Sequence, residues 1–190
     1  MQITPAEDIM PTEKKAETPP IQIRRLLTVT EAQTRALADL LIDVVEGGAS
    51  VSFMLPMSAE KALAFWQRVA DGVAQGERAL LVAENAHGIV GTVQLVLDQP
   101  ENQPHRADLA KMLVHRRARR QGLGEALMRT AEQLARECGK SLLVLGTVTG
   151  SDGERLYARL GWQHCGVIPG YALWPQGGLC ATTYFYRELQ

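Results

Sequence analysis

Four arginines and two glycines crowd the stretch HRRARRQGLGEAL (115–127): Arg116, Arg117, Arg119, Arg120, Gly122 and Gly124. An apolar run ends just before it at Val114, and a helical pattern begins within it. At such a strand-to-helix junction the first N–H groups of the helix lack partners and the helix dipole adds partial positive charge. Glycines let the main chain approach an anion closely. Residue types and spacing therefore specify a cradle for phosphate or diphosphate.

The two commonest cradles do not fit. A P-loop needs Lys-Ser/Thr after its last glycine, and Glu125-Ala126 follow here. A dinucleotide turn needs a third glycine and sits on the first strand, whereas position 127 is Leu and the turn lies far into the chain. Two competing readings are a solvated basic turn and a nucleic-acid contact. The second finds no interleaved aromatics, and the net charge is only −1.

The elements that must position this turn follow from periodicity. IQIRRLL (21–27) reads as a strand. Thr30 and Gln33 have capping-box spacing, and Leu37, Leu40, Leu41, Val44 and Val45 recur on one helical face up to Gly47-Gly48. A second helix spans roughly 58–75, with Ala62, Phe65, Trp66 and Val69 on one side. Strands are expected at 78–84, 90–97 and 108–114, with a polar loop over 98–107. A strong helix carries Leu123, Leu127, Ala131, Leu134 and Ala135. A strand at 141–148 leads to a short helix opened by Ser151 and Glu154 and ended by Gly161. Final strands at 162–169 and 181–189 flank a Gly/Pro/Trp-rich loop, 169–180. This order gives an α/β fold on a mixed sheet.

Composition is that of an ordinary globular domain, 46% apolar and 22% charged. Residues 1–20, rich in Pro, Glu, Lys and Thr without period, read as a mobile extension, and 21–190 as the domain proper. No secretory pattern opens the chain and no apolar run is long enough to span a bilayer. The three cysteines, Cys138, Cys165 and Cys180, are widely spaced and form neither a disulfide framework nor a metal-binding motif. A reducing, cytoplasmic setting with no metal is the expectation.

RRQGLG (119–124) resembles the R/Q-x-x-G-x-G/A signature of the GNAT acetyltransferases, and RLYARLGW (155–162) resembles that family's Y-x-x-x-G-F/W segment. The likeness covers about 21–189. GGASVSFM (47–54), GSDGERLY (150–157) and IPGYAL (168–173) further resemble the tabtoxin-resistance type, which acetylates an amine of a small toxin. The resemblance implies the GNAT fold: six or seven mostly antiparallel strands with about four helices. It implies acetyl-CoA as co-substrate and direct transfer to the primary amine of a small molecule, with no nucleic acid or membrane partner and room for a homodimer. A non-catalytic acyl-CoA sensor is the alternative.

Carried onto these residues, the resemblance places the diphosphate at the backbone of Arg119, Arg120, Gln121, Gly122, Leu123 and Gly124. Arg116 and Arg117 stand nearby, and Ser151 acts as a helix cap and cofactor contact. The pantetheine arm runs beside Met112 and Val114. Tyr157 takes the role of general acid, since a phenol of pKa ~10 stays protonated and can donate to a thiolate of pKa ~8.5. Asp108 matches one family carboxylate and is the candidate base, with Glu84 and His115 as alternatives. Where the tabtoxin-type pattern has a second aspartate, this chain has Gly146. Phe53, Met54, Tyr171 and Trp174, on the loops at 47–54 and 169–176, are the expected acceptor-pocket residues.

Overall fold

The computed structural model describes residues 21–190; the expected extension at 1–20 lies outside the described residues. In chain order the elements are β1 (Gln22–Leu26), α1 (Glu31–Glu46), α2 (Ala59–Ala74), β2 (Arg78–Asn85), β3 (Gly88–Val96) and β4 (Arg106–Val114). A 3-10 turn (Arg116–Ala118) follows, then α3 (Leu123–Glu137), β5 (Leu142–Val148), α4 (Asp152–Arg159), β6 (Gln163–Leu173) and β7 (Leu179–Glu188). This is an α/β fold with a seven-stranded sheet and four α-helices among the described residues, in line with the architecture the resemblance implies.

Local chemistry sets the helix starts. Thr30 caps α1 in a full capping box with Gln33, and Ser58 accepts from the N–H of Lys61 at the head of α2. Ser151 likewise accepts from the N–H of Glu154 to open α4. The Glu154 carboxylate then bonds the N–H of Gly150, at 2.5 Å, and the hydroxyl of Thr183 on β7. It thus reaches one residue before the cap and ties α4 to the sheet.

The sheet runs β1-β2-β3-β4-β5-β7-β6, with only β4 and β5 parallel. Both faces are covered, which is why β2 is a continuous apolar run rather than an alternating one. Ala79, Leu81 and Ala83 face α3 and α4, while Leu80 and Val82 face α1 and α2. Trp66 of α2 is fully buried in the second layer. In the first layer Trp162 donates to the buried Glu132 carboxylate of α3 at 3.0 Å. Trp162→Phe removes that donor, and we expect a loss of ~1–3 kcal/mol in denaturant unfolding with an unchanged m-value.

Two elements differ from the sequence expectation. β4 begins at Arg106 rather than 108, because Arg106–Asp108 pair with Leu142–Val144 of β5. The stretch read as a loop, 169–180, is mostly hairpin: β6 runs to Leu173 and β7 starts at Leu179. Pro169 and Gly170 are tolerated because β6 is the sheet's edge and its register with β7 shifts between Ile168 and Ala172.

Candidate functional site

The site begins with a defect in β4. Between the pairs Thr92↔Leu113 and Gln94↔Ala110, β4 carries one more residue than β3. Lys111 occupies this bulge with φ +49°, a left-handed value uncommon for a non-glycine residue. The bulge bends β4, and pairing with β5 stops at Asp108↔Val144, although β5 continues alongside β7 to Val148. The two parallel strands therefore splay, and a cleft of about 690 Å³ opens between them. Its walls are Leu109 and Lys111–Val114 from β4, and Leu145–Val148 from β5.

The basic turn lies at one end of this cleft. Gly122 caps α3 in the left-handed conformation, φ +77°, and no side chain caps this helix. Arg120 is also left-handed, φ +63°. Among the described residues, the N–H groups of Gln121, Gly122, Leu123 and Gly124 have no partner within the protein. Consecutive unpaired donors at a helix start fit the diphosphate of a coenzyme A thioester. Gly124 faces Leu156 of α4 across the cleft: a Cβ there would stand 3.1 Å from Leu156 Cδ2.

The four arginines divide. Arg119 and Arg120 line the cleft. Arg119 donates to the Val114 carbonyl at 3.2 Å, and Arg120 stands 3.6 Å from Asp152. Arg116 is instead committed to Asp43 of α1, through its Nε at 2.8 Å and its N–H at 2.9 Å, and Arg117 donates to the His87 carbonyl. Burial raises the Asp43 pKa, but the Arg116 bonds more than offset it and hold the carboxyl below its ordinary value. His115 is pushed below the usual imidazole range, by burial first and then by Arg117, Arg116 and Arg119, against the pull of Asp43. These two arginines anchor the turn to α1 and to the β2–β3 turn.

Tyr157 is buried, on α4, and lines the cleft. Its ring packs against Trp162 and Phe185, each with centroids 6.1 Å away. Burial pushes its phenol well above the ordinary tyrosine range, so it stays protonated and able to donate. Gly153 packs closely beside it, since a Cβ there would come within 2.9 Å of Thr147 Oγ1 and 3.5 Å of Tyr157 Cε2. Met112, Val114, Leu123, Gly124, Ser151 and Trp174 all border the same cleft. Gln121 does not; its side chain turns back to the Arg117 carbonyl.

A second cavity, about 440 Å³, adjoins the first and shares Ser50, Ser52, Gly146, Thr147 and Val148 with it. Phe53, Met54 and Tyr171 line it, joined by Tyr184. Tyr171 stands on β6, not on a loop. Tyr184 donates to the Tyr171 hydroxyl at 2.7 Å. That bond, with burial and the nearby Tyr171 and Asp108, pushes the Tyr184 phenol up to about 12.

Gly146 accommodates this pair. A Cβ at 146 would meet Thr182 Cγ2 at 3.2 Å and the Tyr184 ring at 3.4 Å. The space an aspartate would need is filled by a tyrosine. Gly146→Asp should therefore cost ~1–3 kcal/mol of stability by overpacking, visible as a lowered Tm.

The structure does not bring Asp108 to the other candidates. It lines neither cavity, and its oxygens are taken by Arg106 and, at 3.2 Å, by Gln99 Nε2. Glu84 is bound to Arg24 at 2.6 Å, on the β1–β2 side of the sheet. Sequence reasoning missed Lys111 and Tyr184, whose placement depends on the bulge and on strand pairing. The described residues contain no His/Cys/Asp/Glu cluster able to hold a metal and no helix long and apolar enough to cross a membrane.

The family model described as Acetyltransferase (GNAT) family matches residues 50–162, which include the bulge, the basic turn, α3 and α4. Human N-acetyltransferase 8 is 37% identical over 110 residues, 57% of this chain and 48% of that protein. Rat N-acetyltransferase 8B is 35% identical over 100 residues, 52% of this chain and 45% of that protein. The chain thus spans about half the length of the curated relatives it matches. Among solved structures, an N-acetyltransferase from Staphylococcus aureus Mu50 superposes with a TM-score of 0.74 at 14% identity, over 90% of this chain and 99% of that one. The yncA protein of Salmonella typhimurium, solved with its cofactor acetyl-CoA, gives 0.73 at 18% identity, over 90% and 95%. A ribosomal-protein-alanine N-acetyltransferase from Brucella melitensis gives 0.72 at 24% identity, over 88% and 99%. At these identities the structural likenesses speak for the fold, and the family-model match across the bulge, basic turn, α3 and α4 places the chain in the GNAT acetyltransferase family, whose members use acetyl-CoA.

Proposed function

We propose that this chain transfers the acetyl group of acetyl-CoA directly to the primary amine of a small molecule. The observation that carries the reading is the continuity of the site. Free N–H groups at the head of α3 stand at one end of the cleft, and Tyr157 lines its wall. The aromatic cavity adjoins it through Ser50, Ser52 and Gly146.

The cradle from Arg119 to Gly124 would hold the diphosphate, with Ser151 and Arg120 beside it and Met112 and Val114 beside the pantetheine arm. When bound, acetyl-CoA supplies an acyl group activated as a thioester. Tyr157 then acts as general acid, donating its phenolic proton to the departing sulfur. Burial keeps that proton on the phenol until sulfur departs, and the tyrosinate left behind regains a proton from water in the cleft.

Direct attack by the amine fits the site because none of the three cysteines lines either cavity. An acyl-cysteine route has no nucleophile there. An alkylamine of pKa ~10.4 is neutral in only about one molecule in a few thousand at pH 7, so deprotonation takes on the order of 4–5 kcal/mol. Asp108 is not placed to take that proton: it lines neither cavity, and its oxygens are bonded to Arg106 and Gln99. In this proposal water in the open cleft takes the proton.

Phe53, Met54 and Tyr171, with Tyr184, form the acceptor walls; Trp174, expected among them, borders the first cleft instead. The segments that resemble the tabtoxin-resistance type, 47–54 and 168–173, both contribute to this cavity, which supports a compact amine. Gly146 removes one carboxylate of that type and sets the acceptor apart from its toxin.

Thiol release by the purified protein with acetyl-CoA and a library of amines tests the reading. Turnover with small primary amines is the expected result. Acetyl-CoA binding without turnover of any amine would instead identify a binding module.

A further inference from the structure

Lys111 has no part in the scheme above, yet it stands where the two cavities meet. It is the bulged residue of β4 and lines the acetyl-CoA cleft. Its Nζ donates to Ser52 Oγ at 3.3 Å, and Ser52 lines both cavities. Ser52 is itself left-handed, φ +77°, so two non-glycine residues in uncommon conformations face each other across the junction. Such strain persists only where the surroundings hold it, and it concentrates at ligand sites.

The surroundings of the ammonium are incomplete. Nζ lies 5.5 Å from the centroid of the Phe65 ring and 5.9 Å from that of Phe53. Among the described residues no carboxylate comes within ion-pairing distance of it. The charge that bears on it is a second cation, Arg78, whose Nη1 is bound to Gln94 Oε1 at 3.1 Å. Burial first, and Arg78 second, push the Lys111 pKa below the ordinary lysine value. The two rings beneath it give this ammonium some cation–π attraction, but a cation that has shed water, stands near another cation and lacks a counter-ion is still costly to keep. An anion arriving in the cleft supplies the missing partner, and the adjacent Ser52 hydroxyl offers it a second donor.

We propose that Lys111 anchors a carboxylate on the acceptor, so that the molecules acetylated here are amines that also carry a carboxylate. This rests on the acetyltransferase reading and narrows it to amino acids and amino-acid-like compounds. The carboxylate would sit on Lys111 and Ser52, with the amine directed toward Tyr157 and the rest of the molecule among Phe53, Met54, Tyr171 and Tyr184. The orientation follows from the order of the residues along the joined cavities.

The test compares amino acids of α, β and γ type with the amino alcohols of the same chains, which keep the amine and replace the carboxylate by hydroxymethyl. Thiol release is followed for the unaltered protein, Lys111→Met and Lys111→Arg. We expect kcat/KM to favour the acids by at least tenfold. Lys111→Met should raise KM for the acids at least tenfold, leave the amino alcohols and the acetyl-CoA KM within twofold, and so erase the preference. Lys111→Arg should retain part of it. Circular dichroism of both variants checks that they fold. Equal or better use of the amino alcohols by the unaltered protein would overturn the anchor while leaving acetyl transfer intact. So would a loss of kcat in Lys111→Met that is the same for acids and alcohols, since that would place Lys111 at the thioester instead. Failure to acetylate any amine of either set would overturn the acetyltransferase reading and this inference with it.

Discussion

Tyr157→Phe should lower kcat by about 10²–10³-fold and leave acetyl-CoA affinity within twofold. The substitution removes one oxygen and keeps the ring, so the contacts with Trp162 and Phe185 survive. The residue borders the cleft from α4, whereas the amides that would carry the diphosphate belong to the turn and α3, so ground-state binding has little reason to change. What disappears is a proton donor kept fully protonated by burial. A leaving thiolate of pKa ~8.5 can depart without it, which is why the expected loss is hundreds-fold rather than complete. Steady-state kinetics together with calorimetric titration of acetyl-CoA separate the two quantities. Equal losses in turnover and affinity would remove the general-acid role.

Gly124→Leu should weaken acetyl-CoA binding by at least a hundredfold while the protein remains folded. Gly124 lies in the first turn of α3 and faces Leu156, with Met112 Cε 4.0 Å from where a Cβ would be. A leucine there would project into the cleft that Gly124 and Leu156 both line, where the proposal places the cofactor. The Cβ itself meets only the end of a side chain, so Leu156 can shift by a few tenths of an ångström and the helix stands. Gly124→Ala, which adds that one carbon, should cost far less binding. An unchanged dissociation constant in Gly124→Leu would show that the cofactor lies elsewhere. Gly122 is the other glycine of the turn, but its role differs: nothing crowds its Cβ, and it is needed for its left-handed φ.

The glycine turn at the head of α3 was legible in the sequence because everything that makes it is local. Gly122 and Gly124, the preceding apolar strand and the period of Leu123, Leu127, Ala131 and Leu134 lie within a few turns of one another. The helix caps Thr30 and Ser151 were legible for the same reason. Lys111 was not, because a bulge is a mismatch between two strands, and no feature of DLAKMLV alone announces it. Tyr184 reads as one of the alternating residues of a final strand. Its place in the second cavity depends on pairing with Gly146, 38 positions earlier in the chain.

Pro169, Gly170, Gly177 and Gly178 suggested a loop, yet the first two sit in an edge strand, where a missing N–H donor and a kink are harmless. Asp108 shows the converse. Its position at the start of the cradle-side strand was visible, but its capture by Arg106 and Gln99 depends on the fold of the 98–107 segment. The arginines illustrate both outcomes: four adjacent like charges look equivalent in sequence, and only their reach to Asp43, His87, Val114 and Asp152 divides anchors from cleft residues.

A crystal structure of the protein soaked with acetyl-CoA tests the central claim most directly. We predict diphosphate oxygens within hydrogen-bonding distance of the N–H groups of residues 121–124, with the thioester between the splayed ends of β4 and β5. Bound acetyl-CoA whose diphosphate lies away from the head of α3, leaving those amides to solvent, would contradict the account.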